Sequence, residues 1–168
     1  MKKQITILAA ILVMGTAGIS QATYKNAIGA RVGSTYYDLI SFSYKTFISR
    51  PGALEFNAGF GSKGYRGYGN PVAASLSAAY QHHFNIKGVS GLKWFVGGGL
   101  VLYNAFSKYD AYKGFGAGLF PTGGADYKFP KIPLNVSADI RPTVYVTTPE
   151  YYKSFYGNYG LSARYTIN

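Results

Sequence analysis

The sequence predicts an all-β chain, an eight-stranded antiparallel up-and-down transmembrane β-barrel. Three observations lead there. Apolar and polar residues alternate with period two through most of the chain, and no helical period appears beyond an N-terminal apolar run. Clusters of Gly, Pro, Asn and Ser cut this alternation into eight segments. Charged residues make up only 14% of the 168 residues, against roughly 25% in soluble domains. The chain therefore lacks the charged surface that a water-facing protein presents.

The N-terminal run comes first. "MKK" is basic, "ITILAAILVMGTAGI" is apolar, and "SQA" puts Ser20 and Ala22 at the small-residue positions of a cleavage site. This is the layout of a secretory signal peptide, expected over residues 1–22, and the apolar run is short for a transmembrane helix. The barrel domain is then expected over residues 23–168, a length that suits one domain. No later segment reaches 18 consecutive apolar residues. The chain has no Cys, so an exported domain must hold together without disulfides.

The strands follow in order. "NAIGARVGS" sets Ile28, Ala30 and Val32 against Gly29, Arg31 and Gly33. "ISFSYKTFI" sets Ile40, Phe42, Tyr44 and Ile48 against Ser41, Ser43 and Lys45. "SRPGA" turns the chain around Pro51 and Gly52. "LEFNAGFGS" opposes Leu54, Phe56, Ala58 and Phe60 to Glu55, Asn57, Gly59 and Gly61, before the polar loop "KGYRGYGNP". "AASLSAAYQHHF" opposes Leu76, Tyr80 and Phe84 to Ser75, Ser77, Gln81 and His83.

After the turn "NIKGVSG", "LKWFVGGGLVLY" aims Trp94, Val96, Leu100 and Leu102 outward and Gly97 and Gly99 inward. "FGAGLFPTGGADYKF" opposes Phe115, Ala117, Leu119 and Tyr127 to Gly116, Gly118, Thr122 and Asp126. After "PKIP", "NVSADIRPTVYV" alternates Val136, Ala138, Ile140, Val144 and Val146 with Asn135, Ser137, Asp139, Arg141 and Thr143. The last strand, "YGLSARYTI", turns Tyr159, Leu161, Ala163, Tyr165 and Ile167 away from Gly160, Ser162, Arg164 and Thr166. Short turns alternate with longer loops rich in Tyr, Lys and Gly, as in barrels of the outer-membrane type.

Closure sends the apolar face to lipid and the other face inward. A spanning sheet can leave no edge unpaired, so strand one must meet strand eight. An eight-stranded barrel is just wide enough to be filled by its own side chains. Strand phase makes Arg31, Lys45, Glu55, Asp139, Arg141 and Arg164 an interior polar network, with Asp126 near one end. A buried charge is costly unless paired, so Glu55 and Asp139 should each meet one of the four bases. Pro121 and Pro142 lack a backbone donor and should sit at a bulge or near the rim. Tyr80, Phe84, Trp94, Tyr127, Phe129 and Tyr165 fall at strand ends, where interfacial girdles form.

No catalytic set is found, and the chain is not expected to be an enzyme. A lipid A deacylase needs His-x-Ser on one strand, whereas "HHFN" gives His82-x-Phe84 and His83-x-Asn85. The adjacent His82 and His83 point to opposite faces and make no metal pair. No cofactor or metal is expected. The binding candidates lie on the loops: Tyr65, Arg66, Tyr68, Lys108, Tyr109, Tyr112, Lys113, Tyr151, Tyr152 and Lys153. Interleaved rings and cations suit sugars, phosphates or a protein surface. Net charge is +11, which points to anionic partners. The expected partners are outer-membrane lipid and lipopolysaccharide, with a surface glycan or protein as a further possibility. Nucleic acid is not expected of an exported chain, and a monomer is.

The segments "AIGARVG", "ALEFNAGFG", "YQHHFNIKGVSGLKWFVGGG", "ADYKFPKIPLNVSADIRPTV" and "LSARYTIN" resemble the small outer-membrane β-barrel proteins common in Bacteroidetes. That resemblance implies an eight-stranded barrel in the outer membrane, broadly like OmpX or the barrel domain of OmpA, and no particular activity. Three roles are then open. The first is a structural or surface-interaction barrel with a filled polar interior, and the second is a small low-conductance channel. The third is a secreted lipocalin-like carrier of an apolar ligand, which would need an apolar interior.

Overall fold

The computed structural model describes residues 24–62, 71–150 and 152–167. The region expected to be a signal peptide lies outside the described residues. Eight strands follow in chain order: β1 Asn26–Thr35, β2 Asp38–Phe47, β3 Gly52–Ser62, β4 Val72–Asn85, β5 Leu92–Phe106, β6 Gly114–Lys128, β7 Leu134–Thr147 and β8 Phe155–Ile167. One short 3-10 turn, Asp110–Tyr112, interrupts the β5–β6 connection. Each strand pairs antiparallel with the next, and β1 closes on β8 from Asn26 opposite Ile167 to Gly33 opposite Gly160. The sheet is a closed up-and-down barrel with no free edge.

The strands run longer than the alternation alone suggests. β5 continues to Phe106, and β8 begins at Phe155, inside the segment read from sequence as a loop. The reason is local pairing. Phe155 sits opposite Val144 and Tyr156 opposite Thr143, so the ladder outlasts the clean alternation.

Two departures from strict register matter for the interior. Val32 faces Ile40, but Thr35 faces Asp38, so the β1–β2 ladder slips by one residue near the tip. A bulge of this kind flips side chains between faces, and it carries Asp38 into the barrel. The second concerns the prolines. They sit at neither rim. Leu119 pairs with Val144 and Gly123 with Ile140, which sets Pro121 opposite Pro142 in mid-strand. Neither can donate to the ladder, so the two donorless residues share one gap in the β6–β7 pairing. The one register shift in this pair lies farther along, between Ala117 and Gly118.

The outer surface is apolar along the strands. Val32, Phe42, Phe60, Leu76, Leu100, Leu119, Ile140 and Leu161 are all exposed. Along the strands, Arg31, Lys45, Glu55, Asp139, Arg141 and Arg164 are buried inside, the reverse of a water-soluble domain.

Candidate functional site

The interior is built in three levels. At the short-turn end Tyr24 packs edge-on against Phe47, with Ala27 and Ala53 beside them. The middle is ionic. Four acids, Asp38, Glu55, Asp126 and Asp139, face four bases, Arg31, Lys45, Arg141 and Arg164, and all eight are buried. The chain holds only 6 acidic residues, and these four lie within the barrel wall.

The pairing runs as an alternating chain. Arg31 donates to both oxygens of Asp139, from Nε at 3.1 Å and Nη2 at 2.7 Å, and from Nη1 to Asp38. Arg141 bridges onward, with Nε 2.8 Å from Asp139 and Nη2 donating to Glu55 at 2.6 Å. Arg164 closes on the same Glu55 at 3.1 Å and donates to Ser43 and Ser137. Glu55 also accepts from Gln81 at 2.8 Å and Asn57 at 3.2 Å.

Neighbouring-strand position suggests a Lys45–Glu55 pair, but these groups are 3.7 Å apart. The near partner of Lys45 lies across the lumen. Its Nζ donates to Asp126 at 2.7 Å, and Asn135 donates to the other Asp126 oxygen at 2.6 Å. Asp139 and Arg141 sit two apart because both belong to this chain of ions. Deep charges in low dielectric persist when matched and hydrogen-bonded in this way.

The third level was not expected from the sequence, which suggested a polar interior throughout. Tyr36, Tyr37, Tyr103, Phe120 and Tyr145 fill the loop end. Tyr37 and Tyr103 stack at 5.0 Å, and the Tyr145 hydroxyl donates to Tyr37 at 2.6 Å. Arg141 joins the two levels, its guanidinium 5.6 Å from the Phe120 ring centre. Phe95, Phe120, Tyr103 and Tyr145 all stand in the inward phase of their strands. Assigning that phase to small and polar residues alone is what concealed them.

Small residues make room for this filling. A Cβ on Gly116 would overlap the Tyr103 ring at 2.1 Å, and one on Gly160 would sit 2.1 Å from Arg31 Nη2. The Arg31 guanidinium is held between Asp38 and Asp139 and cannot retreat cheaply. Gly160→Ala is therefore expected to cost about 1–3 kcal/mol by overpacking. Gly157→Ala, whose Cβ would meet nothing nearer than 3.6 Å, should be close to neutral. Denaturant midpoints of the two variants in detergent check this, and equal midpoints would refute it.

The loop candidates divide. Lys108, Tyr109, Lys113 and Lys153 are exposed, and Lys113 pairs with Asp110 at 3.1 Å. Tyr112 and Tyr152 are buried, a correction to the expectation that they are displayed for binding. Tyr152 stacks on Tyr36 at 4.4 Å, and Tyr112 packs edge-on against Tyr152. The mouth of a narrow barrel is the nearest place for such rings to leave water. Burial pushes the Tyr152 phenol up to about 12 and holds those of Tyr36 and Tyr37 above their ordinary range, so the three stay neutral. Tyr65, Arg66, Tyr68 and Tyr151 lie outside the described residues.

His83 is buried between Phe47 and Phe95, its Nε2 3.8 Å from Asp126. That is beyond hydrogen-bond reach. His82 lies on the outer face against Phe84, its Nδ1 3.2 Å from the Tyr80 hydroxyl. Phe84 and Trp94 stack at 4.2 Å near the short-turn end. Asp38 is the interior acid that sequence reading missed, because only the β1–β2 slip turns it inward; the buried base Lys93 on β5 was missed as well.

No protein-family model matches the chain, and no curated protein matches it. Among solved structures, the crystal structure of Neisserial surface protein A (NspA) is similar, with a TM-score of 0.51 at 18% identity. The match covers 84% of this chain and 94% of that one. At this identity the likeness is one of fold, and the fold is the closed eight-stranded antiparallel barrel.

Proposed function

We propose that this chain is an outer-membrane β-barrel of the small kind its segments resemble in Bacteroidetes. It spans the membrane with a filled interior and acts through its loop end in a structural or surface-interaction role. The observation that carries this reading is the inversion of polarity. Four acids and five bases, Lys93 among them, are buried inside, while rows of Leu, Ile, Val and Phe face out. Lipid is the surrounding in which that arrangement is stable. Strands of 10 to 15 residues meet the roughly 9–11 residues that a tilted crossing needs. Closure leaves no edge for a second copy to extend, in keeping with a monomer.

The loop end carries the proposed contacts. Lys108, Tyr109, Lys113 and Lys153 interleave cation and ring in water, a chemistry suited to the phosphates of lipopolysaccharide, to a surface glycan or to a protein. Fractionation of the expressing cell with boiled and unboiled electrophoresis is the test. A heat-shifted band in the outer membrane is the expected result, and a soluble, unshifted periplasmic protein would sink it.

The filled interior disfavours both other roles. A carrier of apolar ligands has no use for Arg31, Arg141 and Arg164 in its cavity. The ionic and aromatic levels together block the lumen of a channel. In planar bilayers the protein should give no conductance steps above background, and clear, reproducible steps would favour the channel instead.

A further inference from the structure

Charge is divided unevenly between the two ends. Beyond the interior ionic chain and the buried Lys93 on β5, the remaining charge sits on loops, turns and strand ends. The loop end carries Lys108, Lys113 and Lys153 together with Asp110 and Glu150. The short-turn end carries Lys25, Arg50, Lys87, Lys128 and Lys131, and among the described residues it has no exposed Asp or Glu side chain, Asp126 being buried just inside it.

The three short turns also repeat one chemical unit. Each pairs a cation with an exposed aliphatic side chain: Ile48 with Arg50, Ile86 and Val89 with Lys87, and Ile132 with Lys131. A groove of about 500 Å³ runs between the second and third turns, lined by Ser90, Gly91, Lys128, Pro130, Lys131 and Pro133. Lys128 is fixed at its wall by donating to the carbonyls of Phe129 and Ile132 at 2.6 and 2.9 Å. The rings of Phe84, Trp94, Tyr127 and Phe129 stand just inside this end.

We infer that the short-turn end is a docking surface for anionic phospholipid headgroups. The inference rests on the membrane-spanning reading. Cations hold the phosphates, and the aliphatic tips enter the adjoining hydrocarbon boundary. A purely electrostatic partner would explain the cations and leave Ile48, Ile86, Val89 and Ile132 in water. A lipid explains both halves of the unit. The surface lies on the end opposite the proposed loop contacts, so one barrel reads different anions on its two sides.

The full chain is refolded into phosphatidylcholine vesicles with or without phosphatidylglycerol of the same acyl chains. Insertion is read by heat-shifted mobility, and retained lipid by native mass spectrometry after detergent extraction. The wild type should retain phosphatidylglycerol preferentially. Each neutralised cation should lower that preference about fivefold, and R50Q/K87Q/K131Q together on the order of a hundredfold. The loop variant K108Q/K113Q/K153Q should keep it.

An inserted turn variant with undiminished preference would overturn the inference, as would equal loss in the loop variant. Binding of glycerol phosphate as tight as that of the lipid would assign the end to free phosphate instead. Cosedimentation with purified peptidoglycan, lost in the turn variant while lipid retention is unchanged, would assign it to the cell wall. Failure to insert into either vesicle would overturn the membrane-spanning reading itself.

Discussion

Glu55→Gln is expected to destabilise the barrel by about 3–5 kcal/mol, the cost of breaking a buried ion pair from one side. Glu55 is where the network converges. It touches Arg141 at 2.6 Å, Arg164 at 3.1 Å and Lys45 at 3.7 Å. The substitution keeps the shape and removes the one charge that all three share. Arg31, Lys45, Arg141 and Arg164 would then face only Asp38, Asp126 and Asp139, four cations against three acids, in a lumen with little water to screen the excess. Adding Arg141→Met should recover part of the loss, because it restores the balance of charge and the two residues are coupled. Unfolding in detergent, followed by the fluorescence of Trp94, gives both numbers. A Glu55→Gln cost below about 1 kcal/mol would mean that the interior is hydrated and the ionic chain unimportant to stability.

Leu100→Arg is the second large effect. Leu100 points outward near the middle of β5 and is 45% exposed. On a surface facing water such a change falls within about 0.5 kcal/mol. On a lipid-facing strand an Arg at the bilayer midplane costs about 2–4 kcal/mol, and near the interface about 0–1 kcal/mol. Val89→Arg, at the short-turn end, supplies the interfacial comparison. The expected result is a steep dependence on depth for refolding into vesicles. Equal, small costs at both positions would contradict a membrane-spanning barrel.

These two substitutions probe the same alternation from opposite faces. Period two in "NVSADIRPTVYV" is sufficient to send Asp139 and Arg141 one way and Ile140 the other. The rule is geometric, since successive side chains on a strand must point to opposite faces. For the same reason Arg31, Lys45, Glu55 and Arg164 could be placed on one face before any pairing was known. Asp38 could not. Its neighbours Tyr36 and Tyr37 look like an ordinary tight turn, and only the slip between Val32 and Thr35 brings the carboxylate inward to Arg31.

Tyr112 and Tyr152 show the limit on the loops. Residue type says that a tyrosine can bind a sugar or pack against another ring. It does not say which. The choice depended on the space left beside Tyr36 and Tyr103 at the barrel mouth, where both rings found apolar neighbours. The exposed Lys108, Tyr109, Lys113 and Lys153 had no such space and remain in water.

By itself the sequence determined the strand number and the phase that puts Arg31, Lys45, Glu55, Asp139, Arg141 and Arg164 on the inward face, because these follow from local periodicity and the positions of turns. The tertiary structure alone decided which acid meets which base. Lys45 passes over its neighbour Glu55 to reach Asp126 across the lumen. That partner is set by the stagger and diameter of the closed barrel, which bring residues 81 positions apart in the chain within 2.7 Å. Distance along the chain carries no record of that geometry.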